Sequence, residues 1–275
     1  MKAPSVSIPN QNAVGLSAVA RRRLQAVTYP LAGIAIMFLC WWLGGWVLTG
    51  NPDTVIFAGF APGPTLASLQ QMLGEGALWD AIGASLYRIG AGLFWGCLLG
   101  IPLGIMVGYF TTAMQMANLP FQFLRMVSPL AWMPLAVMIF DSWDGAIVFL
   151  IAMAALWPIL FSTAHGVRRI DPGWLKVARN LGAGGAQMLR KVILPAVMMD
   201  MMAGIRLAVG VAWVVLVPAE YLGVTSGLGY AINDARDTLD YSALAAVVLV
   251  IGVIGYGLDS LCGLLMRRFN WRMES

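Results

Sequence analysis

The 275 residues are 60% hydrophobic and 11% charged, with a mean hydropathy of +0.78. An ordinary soluble domain carries roughly 25% charged residues, so this composition excludes a chain that folds in water and points to the bilayer. The formal charge of +4 rests on Lys and Arg spread over the ends of apolar runs, which excludes a nucleic-acid-binding face.

Apolar runs of about 20 residues, the length a bilayer core requires, recur between short polar breaks. They are apolar on every side, whereas barrel strands alternate. Helices are how such segments satisfy their backbone in lipid, so the fold class is all-α, a polytopic membrane protein with about six transmembrane helices.

In chain order, residues 1–27 are rich in Ser, Asn and Gln, carry Arg21, Arg22 and Arg23, and read as a flexible cytoplasmic tail before a transmembrane domain over 28–275. The first span, about 30–49, has no A-x-A site behind it and reads as a retained span, not a cleaved signal. Residues 50–76 contain Pro52, Pro62, Pro64, Asp53 and Glu75 but no Lys or Arg, as suits an outside loop. A second helix over about 78–109 carries Gly90, Gly92, Gly96, Gly100, Gly104 and Gly108, which predict close helix contact. A third segment, about 119–140, is interrupted by SPLAWMP, where Pro129 and Pro134 kink or break the helix. Residues 141–144 turn the chain, and 145–163 return it. A polar segment follows over 165–195, then a fifth span over 198–222, a polar loop over 223–241 and a sixth span over 242–266. Cys40, Cys97 and Cys262 lie in apolar runs without C-x-x-C spacing and read as packing residues; His165 reads as interfacial, so no metal site is expected.

Thirteen of the 17 Lys and Arg fall on one side of this topology and Arg236 alone on the other, with Arg88, Arg125 and Arg206 inside spans. The positive-inside rule then places both termini in the cytoplasm, which requires an even number of spans.

The long cytoplasmic segment, RRIDPGWLKVARNLGAGGAQMLRKVILPA, reads as two short helices joined by glycine over about 171–195. Asp171 followed by Pro172 is an N-cap and first-turn pair. Trp174, Val177, Ala178 and Leu181 recur at helical spacing as one apolar stripe, and Gly182 is suited to a left-handed cap. On physics alone two readings stay open, an interfacial helix pair on lipid headgroups and a docking knob for a partner.

This segment resembles the coupling motif of ABC importer permeases: EAA, three residues, Gly, nine residues, Ile, one residue, Leu-Pro. Lys176-Val177-Ala178, Gly182, Val192, Leu194 and Pro195 keep its spacing, with Lys176 in place of the acid, Val177 in place of Ala and Val192 in place of Ile. From about Leu78 onward the chain is similar to the nitrate, sulfonate and taurine branch. The stretch with Arg206, Trp213, Glu220 and SGLGY at 226–230 looks like that branch's fifth span and following loop, while SPLAW at 128–132 and WPIL at 157–160 look most like the nitrate permeases.

The resemblance implies a type I importer permease fold in the bacterial inner membrane, working as a homodimer with cytoplasmic ATP-binding subunits and a periplasmic substrate-binding protein. It assigns ATPase coupling to Trp174, Lys176, Val177, Ala178, Leu181, Gly182, Val192, Leu194 and Pro195. No GxxxxGK[ST] loop is present, so the chain is expected to be no enzyme and to hold no cofactor, with ATP and Mg in the partner ATPase. The implied cargo is a small anion, nitrate first, with nitrite, cyanate or bicarbonate beside it and taurine or an alkanesulfonate as the alternative.

Candidate pathway residues are Trp132, Pro134, Arg206, Trp213 and Glu220. A charge within a span costs about 2.5–3.5 kcal/mol at least, so Arg206 and Glu220 are expected to face protein or water. They stand about 21 Å apart along one helix and so do not pair with each other. Arg206 is expected either to offer passing positive potential to an anion or to pair with Asp200 or a carbonyl, and Glu220 to gate or position a helix. Trp132 and Trp213 either narrow the path or pack. Three dispersed cations make no anion cage, which points to a low-affinity conduit with capture delegated outside. A membrane-embedded enzyme would need an HExxH, a GxSxG or paired intramembrane aspartates, and a channel would not need the helix-Gly-helix knob.

Overall fold

A computed structural model describes the backbone of residues 11–274 and the side chains of residue 25 and residues 28–268; among these every regular element is helical. Five helices are long and apolar enough to cross a membrane, or six if one bent pair is a single span. The chain divides after Leu66 into two units.

In the first unit, α1 (Gln11–Gly50) contains the first span. Residues 1–10 of the expected tail lie outside the described residues. From Gln11 that tail is helix continuous with the span, running through Pro30. Beyond α1 a 3-10 turn, Val55–Phe60, folds back so that Trp41 Nε1 donates to the Phe60 carbonyl at 2.8 Å. Helix α2 (Pro62–Gly74) crosses the unit boundary and makes half of the expected outside loop helical, with Pro62 and Pro64 in the first turn, where a missing N–H costs nothing.

The second unit is built on α3 (Gly76–Tyr109) packed along α6 (Trp143–Arg168). A Cβ on Gly96 would stand 2.8 Å from Ala155 Cβ, on Gly100 3.0 Å from Ile159 Cγ2, on Gly104 2.7 Å from the Leu160 carbonyl and on Gly108 2.7 Å from Val167 Cβ; on Gly92 it would overlap Ile151. Glycine every fourth residue is therefore what brings these backbones together, through dispersion contact and not through expulsion of water. Gly90, two residues ahead of Gly92 and so off this row, faces open space. The expected third segment begins earlier, as α4 (Thr111–Met126). After a 3-10 turn, Pro129–Trp132, it turns by 87° into α5 (Met133–Ile139), so the proline motif breaks the helix as anticipated.

Two boundaries differ from the sequence reading. Helix α7 (Pro172–Asn180) is followed by α8 (Gly185–Met188), a π-helical turn at Leu189–Ile193 and α9 (Leu194–Gly223), which together form one 39-residue span from Gly185 to Gly223. The second short helix thus does not end at Pro195. The π turn shifts the hydrogen-bond register ahead of the proline, which falls in the first turn of α9 where it needs no donor. The expected polar loop over 223–241 contains α10 (Leu228–Asp237), whose Leu228 and Ile232 pack with Leu78, Val247 and Val250. Asp240 caps α11 (Tyr241–Glu274), accepting from the Ser242 hydroxyl at 2.6 Å and from the Ala243 N–H at 2.9 Å, and these bonds hold its carboxyl below the usual range. Ile89 of α3, Ile147, Leu150 and Ile151 of α6 and Ala212, Leu216 and Ala219 of α9 form one buried cluster where the three helices meet.

Candidate functional site

Helix α7 is fixed at both ends. The Asp171 carboxylate accepts from the Gly173 N–H at 2.7 Å, with Pro172 in the first turn. At the other end Gly182 takes φ +81°, its N–H reaches the Arg179 carbonyl at 2.9 Å, and the Ala183 N–H reaches the Ala178 carbonyl at 3.0 Å. Those two bonds form a Schellman motif, which only a residue free to adopt a left-handed backbone closes without strain.

The single apolar stripe expected on α7 is divided in the structure. Ala178 turns inward with Leu175 onto the cluster of Val167, Ile170 and Met188, while Trp174, Val177 and Leu181 are 63%, 58% and 83% exposed. Nine residues are too few for one face to serve both the core and the outside, so the helix spends Leu175 and Ala178 on anchoring. Arg179 adds a bond to the Tyr109 hydroxyl at 2.7 Å. Lys176 is exposed, and Val192 and Leu194 are half-buried. Trp174, Val192 and Pro195 line one cavity of about 690 Å³ together with Asp171, Lys191 and Asp200.

The other end of the unit holds a buried charge node. Glu220 of α9 is fully buried and Arg88 of α3 is 3% exposed, and they pair at 2.7 Å. Ser85 donates to Glu220 at 2.8 Å and accepts from the Leu228 N–H at 2.9 Å, and the Gly229 N–H donates to Glu220 at 3.0 Å. Arg88 also reaches Asp144 of α6 at 2.7 Å, and the Ser226 hydroxyl and carbonyl at 2.7 and 2.9 Å. Gly227 between them stands at φ +102°. One carboxylate and one guanidinium thus tie α3, α6 and α9 to the start of α10, with nearly every donor and acceptor satisfied, as burial demands. Sequence reading placed Glu220 as a possible helix-positioning residue but missed Arg88, Ser85, Asp144 and Ser226 as its partners. The available signal was Arg88 itself, a cation inside a span that needed an acid.

Arg206 does not pair with Asp200, as the sequence had suggested. Six residues apart on one helix, the two point to different faces, and Asp200 pairs with Arg169 at 3.3 Å. The partner of Arg206 is Asp259 of α11, held bidentately at 2.7 and 2.6 Å. Asp259 was overlooked although it is the one carboxylate within the expected sixth span. Trp132 packs against the α6–α9 core from the 3-10 turn, Trp213 packs against the same core and against Gly255, and Pro134 is exposed on α5. The five pathway candidates are therefore spread over the unit and do not converge on one point.

Residues 100–274 match the family described as the binding-protein-dependent transport system inner membrane component. The chain is 33% identical to the bicarbonate transport system permease protein CmpB of Synechococcus elongatus, covering 90% of this chain and 91% of that one. It is 34% identical to the nitrate import permease protein NrtB of Leptolyngbya laminosa over 70% and 69%, and 32% identical to the taurine transport system permease protein TauC of Escherichia coli over 90% and 91%. Among solved structures, the inward-facing MetNI methionine ABC transporter superposes with a TM-score of 0.58 at 16% identity, over 70% of this chain and 96% of that one, which is a likeness of fold. The chain belongs to the family of binding-protein-dependent transport system inner membrane components, the membrane-spanning permease subunits of ABC importers.

Proposed function

We propose that the chain is one half of a homodimeric importer that moves a small anion, nitrate foremost, from periplasm to cytoplasm, with both termini cytoplasmic. The observation that carries this reading is α7, a short helix capped at both ends that presents Trp174, Val177 and Leu181 to the outside from an anchored base. Rigid apolar anchors of this kind suit docking into a partner's cleft, here an ATPase subunit that binds ATP and Mg. The exposed Lys176 and Pro195 and the half-buried Val192 and Leu194 extend the same surface. Relatives named for nitrate and bicarbonate transport support an anionic cargo, and the taurine relative supports the second reading, a sulfonate. Trp132, Pro134, Arg206, Trp213 and Glu220 remain the pathway residues of this proposal, with anion selection by a soluble binding protein.

Reconstitution with the ATPase and binding protein tests both parts. Titrating the binding protein with nitrate, nitrite, cyanate, bicarbonate and taurine identifies the cargo. Gly182→Trp, or acidic residues at Leu181 and Gly182, should leave insertion intact and abolish stimulated ATP hydrolysis; stimulation that persists would remove the docking role.

A further inference from the structure

The Arg206–Asp259 pair sits within two helices long and apolar enough to cross a membrane, yet is not covered by its own chain. Asp259 precedes the end of the described span at Arg268 by about 13 Å of helix, and Arg206 lies about 25 Å from the Gly223 end of α9. Their side chains are nonetheless 44% and 50% exposed. They border a cavity of about 650 Å³ lined also by Met199, Tyr256, Ser260 and Arg267. On α9 the exposed arc continues from Arg206 through Leu207, Gly210, Val211 and Val214. Ionised groups at this depth face water or protein and not acyl chains, so in the working assembly this face looks inward.

Both Asp259 oxygens are held by Arg206, one on Nε and one on Nη2, and Nη1 has no partner among the described residues. A free guanidinium there would take an oxyanion by two parallel bonds and release it slowly. A carboxylate fixed on the neighbouring helix competes at a local concentration that no solution anion matches.

We propose that this face borders the conduit and that Asp259 is a positioning residue: it occupies Arg206, so that a passing anion meets the guanidinium only in exchange and is not retained. The proposal rests on the reading of an anionic cargo. Removing the competitor turns the conduit into a binding site, and removing both charges abolishes that site.

The test is calorimetric titration of the permease–ATPase complex, in nanodiscs of zwitterionic lipid, with nitrate and, separately, taurine. Wild type is expected to bind either only weakly. Asp259→Asn should bind at least one about tenfold more tightly, the gain expected for one freed charge-assisted hydrogen bond. Asp259→Glu should titrate like wild type, and Asp259→Asn with Arg206→Gln should lose the gain. In transport the single variant should show a lowered KM together with a lowered kcat, a split that loss of packing does not produce. Should Asp259→Asn fail to assemble, Asp259→Ser takes its place. Unchanged affinity in the neutral variants, or tight binding that survives loss of Arg206, overturns the proposal. Failure of wild type to accumulate either anion with binding protein and ATP overturns the proposed cargo and this inference with it, whereas accumulation by wild type with unchanged affinity in Asp259→Asn overturns this inference alone.

Discussion

At the scale of single residues, the buried ion pair is the most exacting feature. Arg88 and Glu220 are each almost wholly removed from solvent; Glu220 has no second cation among the described residues, while Arg88 also keeps Asp144. Breaking a buried pair by removing one partner costs about 3–5 kcal/mol, whereas removing both charges forfeits only the network's hydrogen bonds and the fit of α10. Arg88→Met and Glu220→Leu should each destabilise the purified protein strongly, and the double variant should cost less than the sum of the two. Denaturant titration in detergent reads this as a coupling energy; additive effects would show that the pair acts as two independent contacts. The cation in α3 and the acid in α9 were both visible in the sequence. Their pairing was not, because 132 residues separate them and only the packing of α3 beside α9 brings them within 2.7 Å.

At the scale of elements, the row Gly92, Gly96, Gly100, Gly104 sets how closely α3 approaches α6. Forcing added carbon into a packed contact costs about 1–3 kcal/mol, and here the obstruction at Gly104 is backbone, which cannot swing away. Gly100→Leu and Gly104→Leu should lower thermal stability and the yield of assembled protein, while Gly90→Leu, with open space around its Cβ, should be tolerated. Equal effects at positions 90 and 104 would show that helix flexibility matters and close approach does not. The glycine spacing was legible as a contact surface from sequence, including every member of the row, but not which of the six glycines stands apart. Helical phase relative to a partner helix is decided by the partner. The end of α7 was equally legible, since Gly182 and Asp171 act through local backbone geometry. The continuity of α8 into α9 was not, because a π turn that absorbs the register before Pro195 leaves no compositional mark.

For the whole molecule, each chain carries one α7, and the proposed homodimer would present two such helices to its ATPase partners. Mass measurement of the complex extracted in native lipid should therefore give two permease copies per assembly. A functional monomer, stable to dilution, would contradict the arrangement and would leave the exposed arc of α9 without a covering partner. Cross-linking through a cysteine introduced at Val214, which is 71% exposed on that arc, offers a second measurement of the same point.

The sequence alone determined the helical class and the approximate number of spans, because each follows from composition and periodicity within one stretch of chain, and it pointed to the family through its resemblance to known permeases. Only the tertiary structure decided which charges meet. Arg206 takes Asp259 in place of Asp200, Glu220 takes Arg88, and Ala178 turns inward while Trp174 and Leu181 face out. Those choices depend on which face each helix turns to its neighbour, a quantity set by packing among α3, α6, α9 and α11 that no local pattern in the chain encodes.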